Sequence, residues 1–281
     1  MNKTAMHKTH ILIAGSLAAA ALLLTFGVIA TKAVRSRAAR LPSRTAAERD
    51  AGTQASPDEG IPTIAPDVRN EVRRVVDARL AYAERNAALI KIGFELNGNE
   101  VSTFEECILD EPCCTKNEIH ALKNDMMNAL RKRSPDTDSV VLFLCRSADV
   151  FLERNDNVMV DYCIQHAAAA LEGNLSPSAR GLAMELLINA TGHTKRTWSA
   201  TALLSLDRLP QYNMCDKGFL ERRTLLLLSE SSLDAVRISC IDVAKRNRWK
   251  SAVPVLQELQ KNRGLSMAMK LAIDSGLDAL R

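Results

Sequence analysis

From Asp67 to Leu280 the chain returns an apolar side chain every three or four residues, segment after segment, with short polar breaks between segments. That spacing places one apolar stripe on each of a series of helices. Val68, Val72, Val75, Leu80, Ala83, Ala87, Ile90 and Phe94 form the first such run, which predicts one continuous helix opening at Asp67. Ala and Leu, the residues that cost a helix least, number 38 and 36 of the 281 residues, while aromatic residues make up 4%. The fold class expected is therefore all-α. VVLFLC at 140–145 is short enough for a buried strand, but Val141, Leu144, Cys145, Ala148 and Phe151 continue at helical spacing past strand length. It is assigned to a helix.

The breaks carry their own signals. Gly93 and Asn97-Gly98-Asn99 read as a stop, and Glu100–Cys114, lacking a clear period, reads as a loop with at most a short helix. Thr115 with Glu118 makes a capping box, and Ser134-Pro135 and Ser176-Pro177 each read as a helix opening with proline at the first position. Further helices are expected over 157–171, 177–190, 195–209, 216–228, 233–246, 249–260 and 265–280. Linkers of a few residues pack sequential helices as antiparallel pairs.

Ahead of this region the chain divides into a short tail (1–10), an uncharged stretch of twenty residues from Ile11 to Ala30, and a linker (31–66) holding four of the nine prolines. At about 1.5 Å per residue the uncharged stretch matches a hydrocarbon core of roughly 30 Å. Val28-Ile29-Ala30 would serve as a signal-peptidase cut, but the apolar run exceeds a signal peptide's h-region, so a retained single-pass transmembrane anchor is favoured. The basic flank from Lys32 to Arg49 suits contact with anionic headgroups and, by the positive-inside bias, a cytoplasmic body. Cysteine use points the other way. The cluster Cys107, Cys113 and Cys114 suits an oxidising compartment, which tips the expectation to an extracytoplasmic body. The expected disulfide joins Cys107 to Cys113 or Cys114, the remaining sulfur reaching Cys145 or Cys163. Cys145, Cys163 and Cys240 otherwise read as small core residues.

Residues 1–66 hold eight of the 37 basic and four of the 33 acidic residues, which leaves 29 of each sign in 67–281. A neutral body argues against a nucleic-acid partner. No phosphate loop, serine-hydrolase elbow or zinc-protease motif occurs, so no catalytic, cofactor-binding or metal-binding residues are assigned. Cys113-Cys114 with His120 is the nearest approach to a metal cluster and lacks a fourth ligand. His166 and His193 read as satisfied or exposed histidines. Lys195, Arg196, Arg222 and Arg223 are candidates for a basic surface that meets an acidic partner.

The C-terminal fifty residues bring in a family. Val236-Arg237 with Cys240, then Ala252-Val253-Pro254 with Leu256 and Leu259, resemble the first and second helices of a HEAT repeat. Leu233 to Leu265 is a step of 32 residues, across which Ile241-Asp242 is echoed by Ile273-Asp274, and Ala179-Arg180 with Ala183 looks like an earlier first helix. The resemblance spans about 176–281 and is clearest over 230–281. Cys240 replaces the family's usual alanine, and the segment near 210–220 breaks the period. The resemblance implies an α-solenoid of antiparallel helix pairs over 67–281, behind the transmembrane helix, and a non-catalytic scaffold or adaptor that binds another protein. Two alternatives stay open: a thiol-based redox protein or enzyme using Cys113 or Cys114 at a helix start, and a structural subunit of a membrane complex.

Overall fold

The computed structural model describes residues 68–110, 117–209 and 214–281. The chain divides into two units, Met1–Ile61 and Pro62–Arg281, and every described element belongs to the second. Among the described residues there are twelve α-helices and no strand. They are α1 (Val68–Val76), α2 (Tyr82–Lys91), α3 (Gly98–Asp110), α4 (Asn117–Arg133), α5 (Thr137–Glu153), α6 (Asn157–Ala170), α7 (Pro177–Ala190), α8 (Trp198–Leu206), α9 (Lys217–Glu230), α10 (Asp234–Asn247), α11 (Ala252–Gln260) and α12 (Met267–Leu280).

Helix starts follow from the side chains that satisfy their first N–H groups. Asp136, Asp156, Ser176, Asp216 and Ser266 each accept the backbone N–H three residues ahead, at 2.7–3.2 Å. Pro177 occupies the first turn of α7 and Pro254 that of α11, where a missing N–H costs nothing. Two turns use the left-handed region without glycine. Asn155 after α5 and Arg248 after α10 both have φ 56°, and in each the next N–H (Asp156, Trp249) reaches back five residues to Phe151 O or Ala244 O.

The packing pattern is strictly local. Every substantial helix–helix contact joins elements one or two apart in chain order. Thus α5 lies on α6 and α7, α6 on α7 and α8, and α10 on α12. The pattern sorts the helices into two rows by parity, with α2, α4, α6, α8, α10 and α12 in one and α1, α3, α5 and α7 in the other. The second row is interrupted, because α7 and α9 share no substantial contact and α9 pairs onward with α11. The core runs along the interface of the rows: Leu122, Met126 and Leu130 of α4, Val141 and Leu144 of α5, Ile164 of α6, Leu203 of α8, and Val236 and Ile241 of α10 are all buried.

Several sequence expectations need correction. The run assigned to one helix from Asp67 is two, α1 and α2, parted by a turn in which Asp77 accepts the Arg79 backbone N–H (3.0 Å) and guanidinium (2.8 Å). The five-residue step from Val75 to Leu80 marked that break. Glu100–Cys114 is not a loop as far as Asp110. Asn97 does not merely stop a helix; its Oδ1 accepts the N–H of Asn99 and Glu100 while the Glu100 carboxylate accepts Asn97 N–H at 2.9 Å, a capping box that opens α3. Asn97→Ala is expected to cost about 1 kcal/mol in urea unfolding.

At α5 the cap is Asp136 and not Ser134-Pro135, since Asp136 holds both the N–H and the hydroxyl of Ser139. Helices α8 and α11 start three residues later than expected, after turns closed by Ser199 N–H to Arg196 O and Ala252 N–H to Trp249 O. The segments read as equivalent first helices, α7 and α10, fall in opposite rows. Cys145 and Cys163 are free thiols, so neither takes up a third sulfur.

Two buried cations in the even row hold the ends of odd helices. Arg85 of α2 donates Nε–H to Val75 O in the last turn of α1 at 2.7 Å, and Lys123 of α4 donates from Nζ to Ile108 O in the last turn of α3, also at 2.7 Å. A cation at a helix C-terminus is favoured by the peptide dipoles, and these two sit where water cannot screen them.

Candidate binding groove

Helices α5 and α7 run side by side over α6, and the space between them forms a groove of about 270 Å³. Its floor is apolar, from Val160 and Ile164 of α6. Leu152 of α5 and Leu182 and Leu186 of α7 form the walls, and Cys145, Asp149 and Glu185 bring polar groups to them. Trp198 closes one end. Its indole donates to Asn157 Oδ1 at 3.3 Å, Arg196 donates to the same oxygen at 3.2 Å, and the His193 ring lies 4.7 Å from the indole. That wall is held by two helices and is 2% exposed at Trp198.

The local sequence explains the geometry. On α7 the stripe facing the core is Ala179, Ala183, Leu187 and Ala190, three alanines among four, so the helix lies close over α6. A second stripe, Leu182, Glu185, Leu186 and Asn189, is left to the groove. On α5, Cys145, Asp149 and Leu152 do the same beside the core stripe Val141, Leu144, Ala148 and Phe151.

The groove's chemistry is not that of a nucleophile. Burial, with the Asp149 and Glu185 carboxylates adding to it, pushes the Cys145 thiol up to about 11. Burial raises Cys240 to about 12, and Cys163 and Cys215 also go up. These four sulfurs stay protonated at neutral pH, the opposite of a reactive cysteine. Among the described residues no three His, Cys, Asp or Glu side chains are grouped to hold a metal ion. His120 instead lies 3.1 Å from the α6 cap Asp156.

The residues singled out from the sequence are dispersed. Cys107, half-buried on α3, meets the Arg85 guanidinium at 3.8 Å, while Cys113 and Cys114 lie outside the described residues. Lys195 is exposed and Arg196 is engaged with Asn157, both between α7 and α8. On α9, Arg222 is exposed and Arg223 sits over the Phe219 ring at 5.5 Å. The sequence reading missed Asp149, Glu185 and Trp198. The sequence signal was slight: Leu182 and Leu186 lie off the stripe Ala179, Ala183, Leu187 and Ala190, and nothing in the sequence pairs them with α5.

No protein family, curated protein or solved structure matches this chain. The site therefore rests on its own geometry.

His166 lies away from the groove, on the opposite side of α6, and gives a pH prediction. Its Nε2–H donates to Asn124 Oδ1 at 2.9 Å, and burial, helped by Arg131 and Lys132, depresses the imidazole to about 4. The ring is neutral in the fold but takes a proton in the unfolded chain below about pH 6.5. Its contribution is therefore full above pH 6.5 and falls on acidification towards pH 4, by up to about 1.4 kcal/mol per pH unit. His166→Gln should flatten the pH dependence of urea midpoints between pH 6.5 and 4.

Proposed function

We propose that this chain is a single-pass, membrane-anchored α-solenoid of the HEAT type that serves as a protein-binding scaffold or adaptor. The observation that supports it is the packing pattern: a continuous row of even-numbered helices beside an interrupted odd-numbered one, each helix held by neighbours one or two places along the chain. A stack of that kind extends by addition of pairs and offers long surfaces instead of one enclosed chamber. The periodicity over 230–281 agrees with it at the level of single residues. Val236, Cys240, Ala252 and Leu256 are buried, and the echoed pairs Ile241-Asp242 and Ile273-Asp274 each bury the isoleucine and expose the aspartate.

Membrane attachment rests on Ile11–Ala30, which lies outside the described residues; among those described, no helix is long and apolar enough to cross a membrane. The extracytoplasmic body and the Cys107–Cys113/Cys114 disulfide belong to the same proposal.

One preparation tests the reading. Membranes carrying the full chain are crosslinked, the chain is purified in mild detergent, and protease access to residues 67–281 is scored on sealed vesicles. A scaffold yields protein partners in crosslinks that map to the helical body, and the chain resists carbonate extraction. A chain with Ile11–Ala30 deleted should appear in the aqueous phase. Recovery of the intact full-length chain in that phase, or the absence of any crosslinked protein, overturns the proposal.

A further inference from the structure

The α5–α7 groove combines three features that together define an occupant. Its volume, about 270 Å³, lies below the roughly 300–1,000 Å³ of sites that enclose a cofactor or drug-sized molecule, and suits one or two side chains inserted from outside. Its floor and walls are aliphatic. Its lining holds two carboxylates, Asp149 and Glu185, and no lysine or arginine. Burial raises the Glu105 carboxyl of α3, and the nearby Arg146 on α5 offsets part of that rise; Arg146 does not line the groove. Both carboxylates sit on exposed residues and take part in no described ion pair.

We infer that this groove receives a segment of a partner protein that inserts one large aliphatic side chain, Leu, Ile or Met, between Val160, Ile164 and Leu186 and lays flanking Lys or Arg residues on Asp149 and Glu185. The inference rests on the scaffold reading above and gives that scaffold a recognition chemistry. Charge complementarity selects the partner: a basic, apolar-anchored segment gains two attractive contacts at the rim, while an acidic one meets like charge directly beside its anchor. The seat is preformed. Trp198, fixed through Asn157, and the α6 floor do not need to move, so ordering costs fall on the partner. A helical partner would place its basic residues three or four positions from the anchor, on the face it turns to the groove.

The test uses the full chain in detergent micelles and a phage-displayed library of random twelve-residue peptides. Winners are synthesised with a fluorophore and titrated by polarisation against the unaltered chain, Glu185→Lys and Leu182→Arg. Both substituted positions are exposed, so the variants should retain the helical circular dichroism of the parent. The expected consensus is one Leu, Ile or Met with at least two Lys or Arg within a helical turn or two. Its affinity should fall at least tenfold in each variant.

No enriched peptide, an uncharged or acidic consensus, or equal affinity for the variants overturns the inference. Concentration-dependent self-association abolished by Glu185→Lys also overturns it, by making a second copy the occupant. Crosslinking the Glu185→Lys chain in membranes separates the two proposals. Partners retained there, with peptide binding insensitive to the variants, leave the scaffold standing and remove the groove. Absence of partners from the unaltered chain removes the scaffold itself.

Discussion

Gly276→Val is expected to lower the unfolding free energy by about 3 kcal/mol, with the damage confined to α10–α12. Gly276 is buried in α12 where that helix meets α10 and α11. A Cβ at this position would lie 2.9 Å from Ile241 Cγ2 and 3.0 Å from Leu256 Cδ1. Both neighbours are themselves buried, so neither can swing into solvent to make room. Even Gly276→Ala, which gains about 1 kcal/mol of helix propensity, must spend that gain on the clash. Valine adds two further methyl groups. Ile241→Ala in the Gly276→Val background should recover part of the loss, since the two sites share one space and are not independent. Hydrogen exchange by mass spectrometry gives the location: protection should fall in α10–α12 and persist in α4–α6, with which α12 has no substantial contact. A uniform loss of protection would mean that stability is shared across the whole body.

Arg85→Ala should cost about 3–4 kcal/mol, the second large effect. The side chain is 1% exposed, and its deletion leaves both a cavity and a carbonyl, Val75 O, without its donor. It also removes the cation at the C-terminal end of α1 and the contact with Cys107 on α3, so three helices lose a common tie. Arg85→Lys should recover only a fraction, because a single ammonium cannot face the Val75 carbonyl and the Cys107 sulfur with the spread of a guanidinium. Urea midpoints of the three chains at pH 7 decide the matter; Arg85→Lys equal to the parent would mean that charge alone is what α1 requires.

These two positions illustrate how far the sequence could be read. The all-helical class was legible because period and composition agree over more than two hundred residues. Helix starts with an Asp or Ser cap were placed to within a few residues. What stayed hidden is what depends on partners distant in the chain. Arg85 sits among Glu84, Asn86 and Ala87 and reads as a solvated face, yet the break at Asp77 folds α2 back so that its guanidinium reaches α1. Asn97 looked like a terminator because Asn and Gly are common in turns, whereas its pairing with Glu100 makes it an initiator. The groove was unreadable for a related reason. Asp149 and Glu185 are ordinary exposed carboxylates on two separate helices until α6 brings those helices side by side. The basic residues that did stand out, Lys195, Arg196, Arg222 and Arg223, were noticed as adjacent pairs in sequence, and two of the four are spent on local contacts with Asn157 and Phe219.

The parity-sorted rows also govern how the body is made. Since each helix finds its substantial contacts one or two elements away, no part of the core waits for the far end of the polypeptide. During synthesis α1 and α2 can pair before α5 has left the ribosome, and each later helix docks on a template that is already there. Assembly therefore needs no closing step between the ends, and a nascent chain keeps its apolar stripes exposed only for the time taken to translate a helix or two.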